Sequence, residues 1–512
     1  MRIINGTTRI GTLLRKTCER SHLWIGAVLT IITLLMLGSV VNRPSMASYQ
    51  NHDDAFYSSI GVQFATNGEW RPSIQPLGLT SSENYFAANP LLTPYLTAAS
   101  VKLFGPDRWS LKLPSLIAFL AAGLALIWMV HVAKLSSAHS LVIMFSYYAC
   151  PWLYYAMNTA RAEPMCIAGL YLATLLSLIG VKSTRTVCTS VWILLSGALV
   201  TIVAWNLLLF SMAALLPALA IWGFDHKASR WKRICLWLAG AVMMLFVLIV
   251  WRVIPHWDAW NEQFLQNAAS NAAISSNIST LESFKSTAPF PLNELVELKA
   301  RFSTLGWPFM SWYAGIPLLF LLFLRPTRLF LLTLVLLLTF LGLIEIKTPV
   351  FATYVVNFAI AIPLSLLFAE SRSQHQPLPN IIISVLGTLI VIFSILNAWL
   401  VLRPTTRVNN WSTAEQQIDR EFMALPPHSI IWGDTAHGIV PAWRHGHAYY
   451  TTFNFLSNIL GVKEKLMNMS NESGHYRLKS LNGEWQVIWQ GNRNQHTVNE
   501  IDPIQLQQDL SK

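Results

Sequence analysis

The chain has 512 residues, 53% of them hydrophobic and only 12% charged, with 21 Trp. A soluble globular domain carries about 25% charged residues, so this composition excludes one and defines a polytopic membrane protein. The net charge of +11 sits in short basic tracts between apolar runs, with no basic face interleaved with aromatics, which argues against nucleic acid as a partner.

Runs of roughly 20 apolar residues predict about eleven spans. They lie near 22–41, 113–132, 139–156, 164–180, 189–205, 207–223, 234–254, 307–324, 329–346, 350–369 and 380–401. The first follows Arg9, Arg15, Lys16 and Arg20, as a signal peptide would. Its length and its lack of a small-residue cleavage site favour a retained anchor. The N-terminal basic tract, Lys134, Lys182 with Arg185, the Lys227 to Arg233 turn, Arg325 with Arg328, and Arg372 all share one side if the N-terminus is cytoplasmic. The number of spans is then odd.

The predicted fold is mostly α, with a multi-span membrane domain over 1–401 and a small extracytoplasmic α/β domain over 402–512. The first outer loop, about 42–112, contains a helical pattern from Ala55 to Thr66 and reads as structured. The outer loop at about 255–306 is rich in Asn, Ser and Ala and reads as mobile, with a disordered connector as the plain alternative. In the tail, 429–434 and 485–489 read as strands, and 415–425 and 455–467 as amphipathic helices. Cys18, Cys150, Cys166, Cys188 and Cys235 lie in or beside apolar segments with no ligand spacing, so neither a disulfide framework nor a zinc site is indicated.

Ionisable residues are costly within a bilayer and collect at helix ends, in cavities or at sites. On this topology Asp53 and Asp54 follow the first span, Arg161 and Glu163 begin the fourth, Arg252 ends the seventh, and Glu345 and Lys347 join the ninth to the tenth. All map to the outer boundary. Each has a bland reading as well. Asp53 can cap a helix starting near Ala55, Glu163 can complement a helix dipole, and Arg161, Arg252 and Lys347 can snorkel to lipid headgroups. Acidic and basic residues from four segments at one face nonetheless suit one chemistry. Carboxylates can deprotonate an acceptor hydroxyl, and cations can stabilise a departing phosphate.

The residues also carry a resemblance. Asp53-Asp54-Ala55-Phe56-Tyr57, Gly68-Glu69-Trp70, Asn89-Pro90-Leu91, Leu103-Phe104-Gly105 and Leu113-Pro114-Ser115 resemble the first outer loop of C-type integral-membrane glycosyltransferases. The similarity is to the bacterial branch of protein O-mannosyltransferase-like and aminoarabinose-transferase-like enzymes. Asn158-Thr159-Ala160-Arg161-Ala162-Glu163-Pro164 looks like that family's second acidic motif, and Lys347-Thr348-Pro349 through Tyr354 to Pro363 like a later basic segment. The resemblance spans roughly 20–370, and order and topological side carry its specificity.

The resemblance implies that Asp53 orients or deprotonates the acceptor, with Asp54 its acidic neighbour and Glu163 in the second acidic motif. Arg161 and Lys347, together with Arg252, become candidates for the donor phosphate. The implied reaction moves a sugar, with inversion, from a polyprenyl-phosphate donor to a hydroxyl of a glycan, lipid or protein acceptor at the outer face of an inner membrane. The aminoarabinose-transferase branch often carries Glu-Lys-Pro-Pro where this chain has Ala88-Asn89-Pro90-Leu91, so one charged donor contact is missing. No cofactor is read, and a carboxylate pair can hold a divalent cation or act without one.

His437, His445 and His447 match no metal-ligand spacing and read as loop residues. Asn277-Ile278-Ser279 and Asn410-Trp411-Ser412 match a glycosylation sequon, which matters only in a host that glycosylates. A transporter or flippase of lipid-linked sugars would show mid-span charges or a repeated pair of broken helices, and neither pattern is present. A non-catalytic scaffold whose tail binds a partner is the remaining alternative.

Overall fold

The structure is a computed structural model, and it describes residues 52–74, 85–87, 91–133, 147–148, 160–183, 186–206, 216–225, 229–263, 392, 406–433, 438–451, 475–481 and 484–490. Four helices within these residues are long and apolar enough to cross a membrane: Arg108–Ala133, Glu163–Lys182, Val187–Asn206 and Arg230–Gln263. The expected spans at 22–41 and 307–369 lie outside the described residues, as do nearly all of 380–401 and most of 139–156.

The segment expected as the first outer loop holds α1, His52–Asn67, and α2, Leu92–Phe104; α3 follows over Arg108–Ala133. Pro114 lies inside α3 and has no N–H to give the Ser110 carbonyl four residues back. That carbonyl instead accepts the Ser100 hydroxyl of α2 at 2.6 Å. A proline that would otherwise cost α3 a hydrogen bond therefore fixes how α2 lies against it.

The membrane helices α4, Glu163–Lys182, and α5, Thr186–Asn206, are joined through hydroxyls. Ser177 and Ser196 are 2.8 Å apart, and Ser196 also reaches the Ala173 carbonyl at 2.7 Å. Helix α6 is Leu216–Phe224, and α7 is Arg230–Leu248. A Cβ on Gly197 of α5 would overlap the Trp237 carbonyl, and one on Gly240 of α7 would overlap the Leu194 carbonyl. These two glycines let the α5 and α7 backbones touch, which is how helices gain dispersion contact where no hydrophobic drive separates protein from lipid.

Helix α7 continues through a π turn, Ile249–Val253, and a 3-10 turn, Ile254–His256, to Gln263. At 1.5 Å per residue the 34-residue rod is roughly 51 Å long, well beyond the ~30 Å hydrocarbon core. Residues 255–263, expected as the start of a loop, are therefore helical. His256 stacks on Tyr85 with ring centroids 3.3 Å apart, and Trp257 and Trp260 pair at 5.7 Å. These contacts offset the loss of apolar periodicity.

In the tail, α8 is Thr406–Met423, β1 Ile430–Gly433, α9 Ile439–Arg444, β2 Ala448–Thr451, β3 His475–Leu481 and β4 Glu484–Gln490. The sheet order is β2-β1-β3-β4, with β1 parallel to both neighbours and β3–β4 antiparallel. Helix α8 buries Ile418 and Phe422, one turn apart, against Ile431, Tyr449 and Leu478. The 455–467 helix lies outside the described residues.

One apolar cluster joins the tail to the first outer loop. It contains Phe56 and Ile60 of α1, Trp70, Phe86, Ala160, Leu248, and the tail residues Phe422 and Trp443. Ion pairs lock the same seam. Arg108 pairs with Glu415, and Arg444 reaches Asp107 at 2.7 Å and Asp419 at 2.6 Å.

Candidate functional site

Helix α1 already includes positions 53 and 54, so the acidic pair lies in its first turn rather than before it. The side chains of Asp53 and Asp54 lie outside what the structure describes. A carboxylate in a first turn complements the helix dipole, so the sequence favours a helix start here whatever else the pair does. Phe56, one turn on, is buried in the shared cluster.

Arg161 and Glu163 meet directly. Both the Nε and Nη2 of Arg161 lie 2.9 Å from Glu163 Oε1, and the two residues are 7% and 3% exposed. Pro164 occupies the first helical turn of α4, where its missing N–H costs nothing. Ser115, from the Leu-Pro-Ser motif, donates to the Arg161 carbonyl at 3.2 Å. Ala160 belongs to the same cluster as Phe56 and Leu248. The second acidic motif, α1 and the end of α7 thus each contribute a residue to one extended apolar cluster.

Arg252 sits in the π turn, a feature that recurs at functional sites. It is 2% exposed while Val250, Trp251 and Ile254 on either side are exposed. Its Nη2 donates to the Phe86 carbonyl at 3.0 Å, and its guanidinium lies 4.9 Å from the Trp70 ring and 5.1 Å from the Tyr85 ring. Among the described residues, Arg252 therefore clamps the 85–87 segment and is enclosed by protein groups. Lys347 lies outside the described residues.

The clamp has further parts: Trp70, from the Gly-x-Trp motif, and Phe86 and Gln263, which the sequence did not single out. Trp70 donates its indole N–H to the Phe86 carbonyl at 2.9 Å, and Phe86 returns its backbone N–H to the Trp70 carbonyl at 2.7 Å. Gln263 accepts from the Ala87 N–H at 3.0 Å and donates to the Tyr85 carbonyl at 2.9 Å. The extended end of α7 thus satisfies backbone groups more than 170 residues earlier.

Gly68 ends α1 with φ +74°, and its N–H returns to the Phe64 carbonyl at 3.2 Å, a left-handed cap that glycine adopts at no steric cost. The turn presents Glu69 and Arg71. Glu69 Oε2 accepts from Gln63 at 2.6 Å and from Arg71 Nε at 2.7 Å. The Gln63 hydrogen bond and the Arg71 charge outweigh partial burial and hold the Glu69 carboxyl below its usual range. A cavity of about 510 Å³ opens here, lined by Phe64, Gly68, Glu69, Trp70, Arg71, Tyr85 and Tyr95. Burial pushes the Tyr85 phenol upward. The Gly-x-Trp motif was the available signal for this cavity, yet nothing in a linear reading gives Glu69 a partner. Among the described residues no group of three or more His, Cys, Asp or Glu is placed to hold a metal ion.

The helices, the first loop and the α/β tail together have the fold of solved structures of ArnT. ArnT from Cupriavidus metallidurans matches in its apo state with a TM-score of 0.56 at 12% identity, covering 90% of this chain and 93% of that one. ArnT bound to undecaprenyl phosphate matches with a TM-score of 0.58 at 12% identity, covering 90% of this chain and 92% of that one. No family model matches the chain, and no curated protein does.

Proposed function

We propose that this protein is a membrane glycosyltransferase that moves a hexosyl or pentosyl group from a polyprenyl-phosphate donor to an acceptor hydroxyl at the outer face of the inner membrane. The observation that carries the reading is that Phe56, Ala160 and Leu248 belong to one apolar cluster. That shared membership supports a site formed between the acidic turn of α1, the Arg161–Glu163 pair and the end of α7. The undecaprenyl phosphate bound to one ArnT structure supports a donor of that class.

In this reading the acceptor oxygen attacks the anomeric carbon while the bond from that carbon to the phosphate oxygen breaks. The bonding pair leaves with the polyprenyl phosphate, the acceptor proton passes to the Asp53 carboxylate, and the anomeric centre inverts. Asp54 adjoins the base. Glu163 holds the Arg161 guanidinium, and Arg161 and Lys347 balance the charge that develops on the phosphate. Arg252 contributes by fixing the 85–87 segment. A divalent cation at the acidic pair is compatible with the same step.

The orientation that goes with this function has a cytoplasmic N-terminus and the tail outside, as the basic tracts require. Mass analysis of envelope glycans and lipid-linked sugars tests the proposal, with the gene present, deleted, and restored as Asp53→Asn. Deletion and Asp53→Asn should remove the same glycosyl unit and raise the lipid-linked donor. Identical glycans in all three strains would end the transferase reading.

A further inference from the structure

The cavity of about 510 Å³ beside Gly68 has no role in the transfer step described above. It lies at the opposite end of α1 from Asp53, and 14 residues of α-helix separate Asp53 from Asn67, roughly 21 Å at 1.5 Å per residue. A group bound there cannot itself be the reacting hydroxyl.

We infer that this cavity is a remote subsite for a neutral saccharide unit of an extended acceptor, a reading that rests on the proposed sugar transfer. Its volume falls within the usual range for small-molecule sites. Its walls are the rings of Phe64, Tyr85 and Tyr95, and Trp70 backs Tyr95 at a centroid distance of 4.1 Å. Aromatic faces are electron-rich and attract the electropositive C–H faces of a pyranose.

The polar rim suits hydroxyls. Glu69 Oε2 is held by Gln63 and Arg71, while Oε1 accepts no hydrogen bond from any described residue. The Glu69 side chain is 49% exposed and lines the cavity, so Oε1 is available to accept from a sugar hydroxyl. The carboxylate is fixed before binding, which reduces the ordering cost. At the rim itself Glu69 is set against Arg71, while Arg252 lies behind Trp70 and Tyr85 and Lys102 over Phe64; a phosphate entering the rim would still meet the exposed Glu69 carboxylate. The aromatic walls and the exposed carboxylate favour a neutral sugar over an anionic headgroup. Binding energy gained far from the reacting carbon would then select an acceptor long enough to span α1.

Saturation-transfer NMR on the purified full chain in detergent tests this, with mannotetraose, cellotetraose and galactotetraose as neutral probes and inorganic phosphate as competitor. At least one tetrasaccharide should bind, Glu69→Gln should weaken it about tenfold, and Tyr95→Leu should weaken it similarly. A thermal unfolding profile unchanged in Glu69→Gln keeps that variant interpretable. Failure of all three probes, equal affinity in both variants, or displacement by equimolar phosphate would overturn the subsite. Binding without any glycan change on gene deletion would overturn the transferase reading and leave the subsite standing.

Discussion

Ser115 donates its hydroxyl to the carbonyl of Arg161 at 3.2 Å, both residues being buried. The contact ties the last motif of the first outer loop to the residue whose guanidinium grips Glu163. Two stretches 46 residues apart in sequence are thereby joined beside the candidate site.

The Arg161–Glu163 pair is deep enough that removing one member strands the other. Glu163→Gln is expected to destabilise the protein by about 3–5 kcal/mol and to abolish transfer. The double replacement Arg161→Met with Glu163→Leu should recover most of that stability and remain inactive. Thermal unfolding of the solubilised protein, paired with a transfer assay, separates the two effects. Restored activity in the double variant would remove the pair from the site.

Asp53→Asn should lower transfer by about 10²–10⁴-fold, the usual contribution of a positioned base. Stability should change by no more than about 1 kcal/mol, because the amide loses only the dipole interaction of a first-turn carboxylate. Asp54→Asn is expected to have the smaller effect on rate. Single-turnover measurements with a polyprenyl-phosphate sugar read both values.

Arg252→Lys keeps the charge and loses the planar fork that bonds Phe86 while lying over Trp70 and Tyr85. The variant should lose about 1–3 kcal/mol, with faster amide exchange at Phe86 and Ala87 than in α5. Hydrogen exchange resolved to those segments checks it. Unchanged protection would mean that Gln263 and Trp70 hold the loop without Arg252.

Glu415 is buried against Arg108 at the seam between α3 and the tail, and Arg444 adds partly exposed pairs with Asp107 and Asp419. Glu415→Ala should loosen α8 and α9 by about 3 kcal/mol, whereas Arg444→Ala should cost less than about 1 kcal/mol and matter less in high salt. Limited proteolysis within residues 406–430 reports the difference.

His447 gives the tail a pH dependence. Burial lowers its pKa below the ordinary 6.5, against the opposing effect of its Nε2 hydrogen bond to the Phe422 carbonyl at 2.9 Å. As pH falls below about 6.5 the unfolded chain takes up a proton before the folded one does, so stability declines from there until the folded value is passed. Above 6.5 this contribution is constant. Thermal midpoints of wild type and His447→Gln between pH 5 and 8 should converge toward the acid end and hold a fixed gap at the alkaline end.

Much of the architecture was legible in the linear chain because its causes are local. The apolar stretches beginning near 113, 164, 189 and 234 become membrane-crossing helices, since length and hydropathy are properties of contiguous residues. The strands at 430–433 and 484–490 lie where short β-branched and aromatic runs stand, and α1 covers the pattern read from Ala55 to Thr66. Gly68 and Gly105 end their helices with positive φ, a backbone preference carried by the residue itself.

What composition and residue order could not supply were the partners. Arg161 and Glu163 were separate candidates for phosphate and catalysis until folding placed their charges 2.9 Å apart. Arg252 was a helix-end cation until the π turn and the continuation of α7 buried it beneath Trp70 and beside Phe86. Glu69 has a motif and no partner in the linear chain; in the fold Gln63 and Arg71 hold its carboxylate, and Phe64, Trp70, Tyr85 and Tyr95 line a cavity with it. Periodicity and hydropathy sum over neighbours in the chain, whereas ion pairing, desolvation and cavity walls depend on residues that meet only through tertiary packing.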